Sequence, residues 1–166
     1  MLQPTVRRTW GPRGQTPILL CYDRRDRLSA LSAISVSPIR RRLGLYFDSL
    51  DHNVKADDFE MFVVRLLRHL RRPIILVIDR YSVHRSAAKR LQARYPRRVW
   101  IEWPPAYAPD LNPDEQVWNR TKYTDLANYV PEHVEALGHA LANSLRQTPR
   151  QQPLLRSFFK HAQLPS

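Results

Sequence analysis

Between Pro73 and Arg80 the chain reads PIILVIDR, five consecutive apolar residues closed by Asp79. A run this short, with no polar position to turn toward water, predicts a strand covered on both faces. Helical patterns flank it. Across residues 56–70, Phe59, Phe62, Val63, Leu66, Leu67 and Leu70 recur at three- and four-residue spacing, while Arg65, Arg68, Arg71 and Arg72 take the other face and the C-terminal end. After the run, Ser86 to Tyr95 reads as a second helix. A continuous apolar strand between helices places the chain in the α/β class.

Upstream, Leu28 to Val36 and Leu43 to Leu50 alternate apolar with small or polar residues, and Ile18 to Tyr22 is a further short apolar run. Three such strands joined by short connections predict an antiparallel meander. Val6 to Trp10 reads as a short strand or loop, with turns at Gly11, Pro12, Gly14 and Pro17. Downstream come a strand at Val99 to Trp103, a proline-rich loop, and a third helix at about Pro113 to Asn128. Pro131 opens a fourth helix carrying Val134, Leu137, Leu141 and Leu145, and Leu154 to Phe159 forms a last short one. This order predicts a mixed sheet with helices on both faces, a core spanning 1–128, and a C-terminal helical extension of the same domain over 129–166.

With 166 residues and 43% hydrophobic content, the chain suits one domain with its own core. Lone Cys21 excludes an intramolecular disulfide and suits a reducing compartment. No apolar run approaches the ~18 residues of a membrane span, and MLQPTVRRTW lacks a signal-peptide core, so the expected setting is cytoplasmic. The net charge is +12, the isoelectric point is near 10.7, and 23 of 27 basic residues are arginine. Arginine grips phosphate through a planar fork, so nucleic acid is the natural partner. A GC-rich genome is the alternative source of the arginine excess.

Two carboxylates stand out. Asp79 ends the apolar strand, and in open α/β sheets ligands bind beyond the carboxyl ends of the strands. Its plain alternative is to cap the following helix, although Ser82 or Ser86 would serve as well. Glu115 follows the loop WPPAYAPDLNPDEQVW (103–118), stiffened by four prolines between Pro104 and Pro113. Asn112 as N-cap, Pro113 at the first helical position and Glu115 at the third make a capping box, with Glu115 reaching back to a backbone N–H. The 35 residues between Asp79 and Glu115 can return the chain to the same sheet edge. Carboxylates are hard ligands for Mg²⁺ or Mn²⁺, and two such ions roughly 3.5–4 Å apart can drive phosphodiester cleavage.

The segments IDRYSVHRS (78–86), PPAYAPDLNPDEQVWNRTK (104–122) and RRTWGPRGQTP (7–17) resemble the motifs of DDE transposases, in the bacterial insertion-sequence branch of the mariner superfamily. The resemblance covers nearly all of the chain. It implies a ribonuclease H-like fold, a two-metal Mg²⁺ or Mn²⁺ site, and cleavage and joining of DNA at transposon terminal repeats and target. It makes Asp79 the second acid of the triad and Glu115 the third. It further implies a bacterial, nucleoid-associated protein that acts as a multimer at paired ends. His84 matches a motif histidine able to touch the scissile phosphate or steady the acids; otherwise it packs at a helix start. Lys122, seven residues beyond Glu115, falls on the same helical face and would reach DNA phosphate, or simply lie exposed. Asp114 reads as solvent-facing or as an aid to the helix dipole. Trp118 and Val117 read as core, and Trp10, Trp100 and Trp103 as core or cavity wall.

Two positions depart from the family pattern. Arg80 stands where asparagine usually follows the second acid, a cation that would weaken metal binding unless it points away. The first acid lies in the family on a strand just before the arginine–tryptophan segment, yet only MLQPTV precedes Arg7. The expectation is a sheet without its first catalytic strand, two of three acids, and no activity alone. Asp23, Asp26, Asp48 and Asp51 are poor replacements, all lying in or beside the meander. A decayed copy, a misplaced start and the second frame of a frameshifted element all fit. Three functions follow: a transposase catalytic domain; a non-catalytic DNA-binding remnant that acts joined to or paired with an intact transposase; and a ribonuclease H-like nuclease acting on RNA or hybrid duplexes, which the PDLNP loop disfavours.

Overall fold

The computed structural model describes residues 5–19, 28–39, 41–105 and 108–164. Strands β1 (Ser29–Val36) and β2 (Leu43–Leu50) form an antiparallel hairpin, with Ser29 opposite Leu50 and Val36 opposite Leu43. Strand side chains alternate between faces, and here both faces are covered. Leu31, Ala33, Tyr46 and Leu50 turn to one core, and Ala30, Ile34, Leu43, Leu45 and Phe47 to another.

Helix α1 (Ala56–Leu70) fills the first core with Phe59, Phe62, Val63, Leu66 and Leu67, the positions its periodicity predicts. The Asp58 carboxylate accepts the Lys55 N–H at 2.8 Å at its start. Arg71 closes it in the left-handed region (φ 55°), its N–H reaching the Leu67 carbonyl at 3.1 Å. Strand β3 (Ile74–Val77), helix α2 (Ser82–Arg94) and strand β4 (Val99–Glu102) make a parallel crossover unit, with Ile74 beside Val99 and Val77 beside Glu102. Ala87 and Leu91 of α2 and Val99 of β4 complete the first core.

The apolar run is not covered twice. Ile74, Leu76 and Ile78 pack on the core, but Ile75 and Val77 are 69% and 64% exposed. Helices α1 and α2 join the same core, and no described element packs on the other face. Nor is there one mixed sheet among the described residues: the antiparallel pair and the parallel pair are separate. The third meander strand is also missing from the described part. Ile18 and Leu19 are irregular, and the rest of Ile18 to Tyr22 lies outside the described residues. Of the tryptophans read as core, Trp10 is 99% exposed and Trp100 46%.

The second core covers the other face of the hairpin. Helices α3 (Pro113–Arg120), α4 (Val134–Gln147) and α5 (Gln152–His161) supply Val117, Leu141, Leu145, Leu155, Phe158 and Phe159 to it, with Trp118 packed alongside. Gln152 ties α5 to the hairpin: it accepts the Leu43 N–H at 3.0 Å and donates to the Leu43 carbonyl at 2.8 Å, as a neighbouring strand would. Among the described residues, no helix is long and apolar enough to cross a membrane.

Candidate active site

Because β3 and β4 are parallel, their carboxyl ends open on the same edge. The Ile78 N–H donates to the Glu102 carbonyl at 3.2 Å, so the ladder delivers Asp79 next to the start of the loop at Trp103. The guanidinium of Arg80 lies over the Trp103 ring, 5.8 Å from its centroid. This resolves the direction of the unusual cation: it rests on an aromatic face rather than pairing with Asp79.

Asp79 is well exposed, and one of its oxygens is occupied. Oδ1 accepts the Tyr81 N–H at 3.1 Å and lies 2.5 Å from His84 Nδ1. The His84 ring is wedged against Phe59 (centroids 4.4 Å) and meets Tyr81 edge-on (5.8 Å). His84 therefore both packs at the start of α2 and fixes the Asp79 carboxylate. Oδ2 of Asp79 accepts no hydrogen bond from a described residue.

The loop from Trp103 makes one 3₁₀ turn at Pro109–Leu111 before Asn112 caps α3, its Oδ1 accepting the Asp114 N–H at 3.1 Å. Pro113 takes the first helical position, as the sequence predicts. The expected reach-back from Glu115 is absent. Its carboxylate is exposed and accepts no hydrogen bond from a described residue, and the Asn112 N–H it would reach already donates to the Pro109 carbonyl at 2.9 Å. Glu115 is a free acid.

Asp114 reverses its expectation. Ser32 Oγ on β1 donates to Asp114 Oδ2 at 2.5 Å, while Oδ1 is enclosed without a partner. Part of the residue still meets solvent, but the carboxyl does not. Burial pushes its pKa up to about 6, against the lowering effect of the Ser32 hydrogen bond and of the nearby Trp118 ring N–H. The available signal was helical spacing: residue 114 shares a face with Val117 and Trp118, the apolar side of α3.

Lys122 is exposed, but it sits in a π-helical segment, Thr121–Asp125. The wider turn breaks the simple seven-residue relation to Glu115. Asp48 is ion-paired with Arg65, and Asp51 lies 2.8 Å from His52, so both are committed away from Asp79. Asp23 and Asp26 lie outside the described residues. Among the described residues no group of three or more His, Cys, Asp or Glu is arranged to hold a metal ion.

The family model of the DDE superfamily endonucleases matches residues 1–137. The chain belongs to that family. Its fold is ribonuclease H-like: it superposes on a chain of the crystal structure of the Mos1 strand transfer complex with a TM-score of 0.63 at 17% identity, over 97% of this chain and 48% of that one. The chain thus spans about half the length of that neighbour. No curated protein matches it.

Proposed function

We propose that this chain is the catalytic domain of a transposase that cleaves and joins DNA with a divalent metal, Mg²⁺ or Mn²⁺, held in part by Asp79 and Glu115. The observation that carries this reading is that Asp79, at the carboxyl end of β3, and Glu115, after the proline-rich loop, are both exposed acids with free oxygens. Among the described residues neither is paired with arginine or lysine, and the second oxygen of Asp79 is open, so both remain available as hard donors. When bound, the metal would activate water and stabilise the leaving oxygen of a phosphodiester. His84 holds the Asp79 carboxylate in one orientation through its ring packing. The family membership supports DNA cleavage, and the strand transfer complex whose fold it shares supports strand transfer as the reaction; transposon ends as substrate and pairing of copies rest on the motif resemblance.

With Asp48 and Asp51 engaged elsewhere, a third carboxylate has to come from outside the described residues. Metal affinity is therefore a better test than turnover. Mn²⁺ titration followed by electron paramagnetic resonance should show binding weakened at least tenfold in Asp79→Asn and in Glu115→Gln. Mn²⁺ affinity equal to wild type in both variants would refute the assignment. Full DNA binding by both, with no Mg²⁺-dependent nicking by the wild-type chain, would favour the non-catalytic DNA-binding reading.

A further inference from the structure

Away from the acid pair, the face of α3 next to Glu115 forms one wall of an open cleft of about 480 Å³. Gln116, Asn119, Arg120, Tyr123 and Thr124 line it along two turns, Phe158 supplies an apolar base, and Arg7 closes the far side. No lining residue is acidic.

Arg7 is held there deliberately by the backbone. Thr5 bridges to Ala127, and the Asn128 N–H donates to the Thr5 carbonyl at 3.0 Å. Asn128, in the left-handed region at φ 59°, accepts the Arg7 N–H at 2.8 Å and donates to the Arg7 carbonyl at 3.1 Å. The Arg7 guanidinium then lies over the Tyr123 ring, 4.8 Å from its centroid. Among the described residues it has no carboxylate partner. A fixed, unpaired guanidinium on an aromatic face keeps its fork free for two oxygens of a phosphate.

Arg120, opposite, is steadied by Asp125 at 3.5 Å, which itself accepts the Ser144 hydroxyl at 2.6 Å. Arg120 Nε is enclosed and has no partner. Asn119, Thr124 and the Tyr123 hydroxyl add neutral donors. The cleft therefore presents one unpaired cation, Arg7, a second, Arg120, shared with Asp125, and several neutral donors, with no acid in its lining, which suits a phosphodiester.

Its place on the helix sets which phosphodiester. Asn119 is one turn from Glu115, or ~6 Å at ~1.5 Å per residue, and Tyr123 lies beyond it in the π-helical segment. Phosphates of one DNA strand repeat every ~3.4 Å along the duplex axis. We propose that this cleft binds the backbone of the DNA strand at least about two phosphates from the bond presented to Glu115, with Arg7 as its principal contact. The inference rests on the reading of Glu115 as a site acid, but its test does not.

Binding of a fluorescein-labelled 30-base-pair duplex, followed by anisotropy across a sodium chloride series in EDTA, needs neither metal nor acids. Removing one phosphate contact reduces the slope of log affinity against log salt by ~0.9. Arg7→Gln should show that reduction, and Thr124→Glu, which puts a carboxylate into the cleft without touching the Arg7 tether, should weaken binding about tenfold at fixed salt. Arg68→Gln, on the outer face of α1, should leave both readouts unchanged. Wild-type slopes and affinities in the first two variants, equal losses in Arg68→Gln, or no binding by the wild-type chain would overturn the proposal. Mn²⁺ affinity separates the two inferences: failure of the cleft leaves the acid assignment standing, and the reverse.

Discussion

The enclosed Asp114 makes a prediction whose size and sign both follow from its surroundings. Its pKa is about 6 in the folded chain against an ordinary 3.8, a gap of about 2.2 units. At ~1.36 kcal/mol per unit, that is about 3 kcal/mol of differential interaction. The folded state binds this proton more tightly than the unfolded state. The contribution to stability is therefore full below pH 3.8, falls as pH rises toward 6, and is lost above it. Asp114→Asn is neutral at every pH, and its side-chain oxygen can still accept the Ser32 hydroxyl. The variant should match wild type near pH 3.5 and exceed it by up to ~3 kcal/mol at pH 8. Urea unfolding of both proteins in EDTA at intervals from pH 3.5 to 8 reads this directly, because the other carboxylates cancel in the difference. Ser32→Ala, which removes a hydrogen bond that lowers the Asp114 pKa, should carry the window to higher pH. A difference that is independent of pH, or that favours wild type as pH rises, would refute the reasoning.

Two further outcomes are expected. Asn112→Ala removes the hydrogen bond to the Asp114 N–H and should cost ~1 kcal/mol, seen as a drop of ~2–4 °C in Tm, while Asn112→Gly should cost only a few tenths. His52 should titrate above its ordinary 6.5 in an NMR pH series, held up first by Asp51 and then by Asp58. Asp51→Asn should lower it most. The pair's contribution to stability is present below 6.5 and lost as pH rises through the raised value, and full exposure keeps that contribution small.

Elements whose determinants are local were legible in the sequence. Helix α1 matched residue for residue because one stripe of large apolar side chains lies within its own fifteen residues and both end signals lie within or directly beside them. Asn112 and Pro113 likewise act on their immediate neighbours. The apolar run at β3 misled for a physical reason. When every residue is apolar, alternation cannot show, and hydrophobicity does not reveal which elements arrive to cover it. Ile75 and Val77 are exposed because both neighbouring helices pack on one side. Helix α2 began four residues early, at Ser82, since SVHR carries no apolar stripe to mark its first turn. The acids Asp79 and Glu115 could be singled out from strand end and loop, but not the surroundings of either. His84 on Asp79 is a contact five residues away, whereas the cleft at Arg7 joins residues more than a hundred positions apart.

Asp114 and Glu115 show why the missing part matters to the site. Adjacent residues on a helix point ~100° apart, so they cannot share an environment. The bond from Ser32, 82 positions away, draws Asp114 against β1 and thereby sets the rotation of α3 about its axis. That rotation is what turns Glu115 outward and places Asn119 and Tyr123 along the cleft. A turn of one residue's step would expose Asp114 and enclose Glu115. The enclosed acid, with its cost above pH 6, is thus the physical anchor of the exposed one.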